Sequence, residues 1–548
     1  MIRRHRVWII LLLVVALLGL AACGGADEEG AAETGGAAVE VEEEAEAEGE
    51  VEVVEEEAEV EEEAAVAGEG GTLTYAAQAD VVGFSPILTN DSVSSAANSQ
   101  IYETLVRRNP ETNEIEPLLA ESWENPDDRT WLFHLREGVQ FQDGTEFTAD
   151  AVKFTFERMM DPEGAAPRAS LLEPVDSIEV VDDYTVQITT KEPYGAFLAA
   201  MTHPNAAIVS PAAVEEFGDL MENPVGTGPF ILADRTPGES FTLARNPDYW
   251  GDPPALDEVV YRVVPELSTQ VALLETGEVD FIDTVPPEQI ARLQSIPEVE
   301  VNLIEGTPIT YLGFNHQREL WQDPLVRQAV AHAINQEDII AATEPLAYAS
   351  RGIIGPQVFG YSEAIEDEGY PYDPDQARAL LEEAGHPEGI EAELWTPDTG
   401  QYPRIAQVVQ EQLRQAGIDA EIRTLEWGAY LEATANYEHD LFLLGWSNVT
   451  ADGSEMLYPN LHSANIGASN RSAYNNPEAD EMIVATRETV DQEERLGLLH
   501  EANVYLVNDV AMVPLSHTVI PIAVRDAVQG LQVAPNGSWY MAPVAIAE

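Results

Sequence analysis

From residue 373 onward, apolar and polar positions switch between two periods. In YDPDQARALLEEAG, Asp373 stands as an N-cap with Pro374 at the first helical position and Gln376 as the partner of a capping box. Ala377, Leu380, Leu381 and Ala384 then recur at helical spacing, and Gly385 stops the helix. The run IEAELWTP (390–397) reads as a strand. A helix from Ile405 to Ala416 ends at Gly417, IDAEIRTL (418–425) is a second strand, a short helix follows Trp427, and HDLFLLGW (439–446) is a third strand. Strands alternating with helices predict a mostly parallel sheet with helices packed on it, an α/β arrangement.

The first third of the chain is patterned differently. SIEVVDDYTVQITT (177–190), turning at Asp182-Asp183, and FILADRTPGESFTLARN (230–246) read as β-hairpins. They predict at least one separate lobe of mixed or antiparallel sheet. Between them, Thr148 is placed to cap a helix whose Val152, Phe156 and Met159 face inward and which Asp161-Pro162 ends. Asp143-Gly144 is a turn, and Asp323-Pro324 opens a helix with Val326, Ala329, Val330 and Ala333 on one face.

The N-terminus is of another kind. Arg3, Arg4 and Arg6 precede an uncharged run from Val7 to Ala22, the layout of an export signal. That run is shorter than the roughly 20 residues a spanning helix needs. Leu20-Ala21-Ala22-Cys23 places small residues before the one cysteine of the chain, so no intrachain disulfide can form. This stretch resembles the lipobox of bacterial lipoproteins, which implies that Cys23 is lipidated and becomes the mature N-terminus. The competing readings are a buried thiol and an uncleaved signal anchor. Ala26 to Gly70 carries about twenty acidic residues and no basic or aromatic one. Such a segment cannot bury enough apolar surface to offset its ordering entropy and reads as a solvated tether, spanning on the order of 40 Å as a coil.

Charge narrows the partners. The 548 residues hold 99 acidic and 26 basic side chains, a formal net charge of −73, and the tether accounts for only about twenty of those units. Nucleic acid is excluded as an expected partner, because its binding needs a basic surface. The chain carries no HExxH, GxSxG, P-loop or GxGxxG pattern, and its ten histidines lack ligand-like spacing, so neither enzyme nor metal chemistry nor a cofactor is expected. What stands out is aromatic. Trp446 and Trp427 follow carboxyl ends of predicted parallel strands, where open α/β sheets bind ligands, and the loop after Trp446 offers Asp452. Core packing is the alternative use of both rings.

Several separated stretches resemble one family. LAESWENPDDRTWLFHLREGVQFQDGTEFTADAVKFTFERMMDP (119–162), NPVGTGPF (223–230), RNPDYWGDPP (245–254), TGEVDF (276–281), GFNHQRELWQDPLVRQAVAHAINQEDII (313–340) and YDPDQARALLEEAG (372–385) are similar to the signature of the family 5 solute-binding proteins of bacterial ABC importers. That group takes peptides, dipeptides, glutathione and nickel. The resemblance implies a two-lobed periplasmic-binding-protein-like fold of type II, with mixed sheets, a hinge and an extra subdomain in lobe I. The order it implies is signal peptide 1–22, tether 23–70, lobe I 71–104, extra subdomain 105–215, lobe I 216–305, lobe II 306–514 and a return to lobe I at 515–548, with hinges near Thr307–Leu312 and Leu515–Pro521.

Carried onto these residues, the resemblance implies a monomeric lipoprotein on the extracytoplasmic membrane face. It would capture a small peptide or peptide-like solute and deliver it to an ABC permease. Val449 stands where peptide-binding relatives carry an aspartate for the peptide amine, which leaves Asp452 or another acid for that role, and 450–463 with 470–477 look closer to the glutathione-type branch. The expected pocket is Trp446, Trp427 and Asp452, with Tyr311 and Asn315 beside one hinge and His517 beside the other. Rival readings are a sensory module presenting the loaded form to a membrane receptor, a binder of a nickel chelate or haem reached by His517, and a hydrolase.

Overall fold

The computed structural model describes residues 70–164, 166–343 and 346–547. The export signal, Cys23 and all of the acidic tether but its last residue lie outside them. None of the described helices is long and apolar enough to cross a membrane.

Eleven strands form one sheet. Its order is Ile418–Leu425, Ile390–Pro397, Leu441–Trp446, Val299–Phe314, Val513–Arg525, Phe281–Ile282, Thr72–Ala77, Glu258–Val263, Ser240–Arg245 and Phe230–Thr236, with Ala347–Tyr348 added beside Val513–Arg525. The first three are mutually parallel, as the alternating pattern predicted. They join the rest through an antiparallel pairing of Leu441–Trp446 with Val299–Phe314, so the sheet as a whole is mixed.

The helix boundaries have local causes. Asp373 accepts hydrogen bonds from the backbone N–H of Asp375 and Gln376 and opens helix Pro374–Glu383, and Gly385 follows it at φ 93°. Asp323 does the same for Pro324–Ala333, whose Val326, Ala329, Val330 and Ala333 are all fully buried. The helix expected from Ile405 starts earlier, at Tyr402, because Pro403 fits the first turn of a helix. The strand expected from His439 begins at Leu441, because His439 is drawn into the core against Phe442 and its carbonyl is taken by Asn315. Thr148 occupies the N-cap position of Ala149–Met160, but its side chain makes no capping hydrogen bond.

At one end of the sheet, neighbouring residues of a strand enter different cores, the period of two expected of a strand buried on both faces. Leu312, Leu394 and Leu443 pack with helices Pro324–Ala333, Pro374–Glu383 and Tyr402–Gln415 on one face. Tyr311, Trp395 and Phe442 pack with helix Gln492–Asn508 on the other. The opposite end has its own cores. The larger joins Tyr75, Phe241, Tyr261 and Trp539 to a separate four-stranded antiparallel sheet. That sheet contains the predicted hairpin as Val175–Asp182 and Thr185–Thr190, with Thr130–Leu135 and Ala120–Asp127 beyond, and Val152, Phe156 and Met159 close over it. The second predicted hairpin is Phe230–Thr236 with Ser240–Arg245.

Two long strands, Val299–Phe314 and Val513–Arg525, link the two ends. They pair antiparallel along most of their length; their register breaks between Glu305 and Ile309, opposite Val519 and His517, and shifts again between Thr310 and Tyr311. Gly306 sits in that break, where a side-chain carbon would come within 3.0 Å of the Thr518 carbonyl. The architecture is that of a two-lobed α/β protein whose lobes share one sheet through these strands.

Candidate functional site

The carboxyl ends of Ile390–Pro397, Ile418–Leu425 and Leu441–Trp446 fall on one edge of the sheet, set by their parallel register. Trp446 ends its strand directly opposite Ile309, the first residue paired after the break between the long strands. It is half-buried, and its indole N–H lies within the protein without an acceptor. Trp427 opens helix Trp427–Ala435 after the strand Ile418–Leu425, two strands from Leu441–Trp446 in the sheet order. Its ring stacks on Tyr430 and is 40% exposed.

The loop after Trp446 is held closely. The Asn448 side chain donates to the Asp452 carbonyl at 2.8 Å and accepts from the Asp452 N–H at 3.1 Å, stapling the loop to itself. The Thr307 hydroxyl, from the register break, donates to the Asn448 carbonyl at 2.7 Å, and Asn536 donates to the Val449 carbonyl at 2.9 Å. The Tyr348 hydroxyl donates to the Gly306 carbonyl at 2.6 Å. Three distant segments thus meet where the lobes join, and the Trp446 loop is anchored to that joint.

Asp452 is not free to receive a ligand amine. It is 2% exposed, caps helix Gly453–Leu461 through the Ser454 N–H, and takes both Nη atoms of Arg495 at 2.5 and 2.7 Å. Burial raises its pKa, but the charge and hydrogen bonds of Arg495, with Ser454 and Arg108, together hold the carboxyl below its usual range. Beside it, burial raises Glu455, which accepts from the Thr450 N–H and hydroxyl. Arg108, from the other lobe, donates through Nε to the Thr450 carbonyl at 2.5 Å.

Three further expected residues serve the core. Asn315 lies at the far end of its strand from the register break, fully engaged by the Tyr437 and His439 carbonyls and the Gln317 N–H. Tyr311 is 2% exposed and meets Phe442 edge-on. His517 is 1% exposed, shares a hydrogen bond with the Gly352 carbonyl through Nε2 and packs against Tyr348. Burial lowers its pKa to about 4.

Of the expected pocket, the structure therefore leaves Trp446 and Trp427 as rings at the strand ends and reassigns Asp452, Tyr311, Asn315 and His517 to the scaffold. Thr307, Asn448, Asn536 and Arg495 were missed. Arg495 alone carried a signal, because with Leu499, Ala502 and Leu506 it falls on the apolar stripe of its helix, where a charge needs a buried partner. Among the described residues, no group of three or more His, Cys, Asp or Glu side chains could hold a metal ion.

Two lobes sharing two crossing strands, with an aromatic strand end at the joint, define the class of the two-lobed solute-binding proteins. Residues 114–468 match the middle region of the bacterial extracellular solute-binding proteins, family 5, and the chain belongs to that family. It is 31% identical to heme-binding protein A of Haemophilus influenzae over 501 residues, covering 85% of this chain and 90% of that one. It is 30% identical to the dipeptide-binding protein of Escherichia coli, covering 87% and 94%. The structure of the ABC transporter-associated periplasmic binding protein DppA from Helicobacter pylori in complex with the peptide STSA superposes with a TM-score of 0.69 at 32% identity, covering 88% and 99%.

Proposed function

We propose that the chain captures short peptides or peptide-like solutes between its lobes and delivers them to the transmembrane subunits of an ABC importer. The observation that carries this reading is the joint. Two strands run through both lobes, their pairing is interrupted at Gly306–Pro308, and the Trp446 loop is tied to that interruption by Thr307. Rotation about the interruption moves the Trp446 wall toward the opposite lobe, and a ligand shifts this equilibrium by its preference for the closed form. The peptide ligands of similar proteins support the solute class.

Asp452 does not receive the ligand amine, because Arg495 occupies its carboxylate. Lipidation at Cys23 and the acidic tether would hold this monomeric receptor at the extracytoplasmic face, within reach of its permease.

Native mass spectrometry of protein purified without unfolding tests the assignment. A bound population whose mass excess matches peptides of a few residues is expected. Haem, nickel chelate or shortened peptide products in its place would replace the reading with a different ligand or with hydrolysis. Trp446→Ala is expected to weaken binding of the recovered peptide by about 1 kcal/mol or more, and unchanged affinity would remove the ring from the site.

A further inference from the structure

Lobe I holds a cavity of about 670 Å³ that takes none of its lining from residues 306–514 and is therefore separate from the Trp446 loop. It lies where the core of the lobe meets the four-stranded subdomain, between the segments around 99–118, 202–207, 249–255 and 532–543.

One of its walls is a buried carboxylate without a cation. Glu103 is 6% exposed, and its Oε2 accepts from the Thr227 hydroxyl at 2.7 Å and the Trp250 indole at 2.8 Å. Oε1 accepts only the Tyr249 hydroxyl, at 2.8 Å. A carboxylate offers about four acceptor positions, so one on Oε1 stays open. The nearby Arg107 bonds Glu116 instead, at 2.5 Å.

The complementary charge is Arg136. Its guanidinium lies over the Trp250 ring at 5.2 Å, and its Nε donates to the Leu118 carbonyl at 2.6 Å. Its two terminal nitrogens form no hydrogen bond or ion pair among the described residues. In a chain with 99 acidic and 26 basic residues, a carboxylate is the partner an arginine meets most readily. Arg136, beside a cavity, has none.

The two features select a ligand class by elimination. A bare organic cation would face Arg107 and Arg136, and a bare anion would face Glu103 and Asp252, which also lines the space. A molecule carrying both charges satisfies both, with its carboxylate on the fork of Arg136 and its ammonium on Glu103. The rings of Tyr102, Tyr249, Trp250 and Tyr540 supply apolar faces for its body. We propose that this cavity is a second binding site, for a zwitterionic amino acid with an apolar side chain. It sits at the joint between subdomain and lobe core, apart from the cleft.

Isothermal titration of the full chain with L-phenylalanine tests the site, using phenethylamine and 3-phenylpropanoate as its single-charge analogues. Saturable binding of L-phenylalanine is expected, at least about tenfold tighter than that of either analogue. Arg136→Gln, whose side chain is partly exposed and whose unfolding midpoint is checked alongside, should weaken it by about tenfold or more. Trp446→Ala should leave it unchanged, which separates this site from the cleft. A shift of the Trp250 indole N–H resonance in the same titration gives the location without any variant. Absence of saturable binding, equal binding of one analogue, or loss in Trp446→Ala with retention in Arg136→Gln would each overturn the proposal.

Discussion

Arg495 and Asp452 show how one buried pair shapes the cleft wall. Each is nearly inaccessible, and the guanidinium is further spent on the Thr486 carbonyl and the Ser454 hydroxyl, so the pair is fully hydrogen-bonded. Replacing one partner strands the other. Arg495→Met is expected to lower stability by about 3–5 kcal/mol, read from urea unfolding, and a loss below about 1 kcal/mol would mean the pair contributes little. The pairing was not legible in the sequence, because its partners are 43 residues apart and nothing in the spacing joins them. The indole of Trp446 was legible, since its position depends only on where a predicted strand ends.

Burial also sets the response to acid. His203 and His517 are lowered to about 4 and His439 to about 3, each first by desolvation. A base whose folded pKa is depressed contributes stability that is complete above its unfolded value and lost as pH falls through the folded value. The contribution of each ring is therefore expected to be lost between about pH 6.5 and pH 4, against the opposite trend of Glu103, Glu455, Asp280 and Asp283, which burial raises. It is read as the difference in unfolding midpoint between the protein and its His517→Gln variant, and a difference that does not change across that window would contradict the burial of that ring. Asp452 adds to the loss at still lower pH, because its folded pKa is also depressed.

At the scale of elements, the subdomain loop around Gly195 rests on the turn that leads into helix Gln492–Asn508. The Gly195 N–H donates to the Arg487 carbonyl at 2.6 Å, and Gln492 donates to the Gly195 carbonyl at 3.1 Å. A side-chain carbon at Gly195 would stand 1.8 Å from the Thr489 carbonyl oxygen, so only glycine permits the contact. Gly195→Val should cost about 1–3 kcal/mol and abolish hydrogen-exchange protection at residue 195. Retained protection would show that the loops do not meet this way.

The predicted strands 390–397 and 418–425 and the hairpin at 177–190 were readable because each follows from local alternation or caps. The two long strands were not, since their partners lie more than 190 residues apart and their pairing serves both lobes at once. Asn315 was misplaced for the same reason: the family pattern fixed its neighbourhood in sequence, while its strand carries it away from the joint.

At the scale of the whole molecule, two halves are coupled by a strand pair whose pairing is interrupted at Gly306–Pro308 and shifts again between Thr310 and Tyr311. The described body from residue 70 onward forms a single compact unit, with contacts between its lobes at Arg108–Thr450, Asn113–Gln357 and Gly195–Arg487. These contacts lie outside the strand crossing, so they open and close as the halves rotate about it. Solution scattering during titration with the peptide recovered from native protein measures that rotation directly. The radius of gyration is expected to change saturably with one peptide per chain and not to change when the lobes are locked by a disulfide between Cys substitutions at Asn113 and Gln357. A profile that stays constant while calorimetry shows the peptide bound would contradict it.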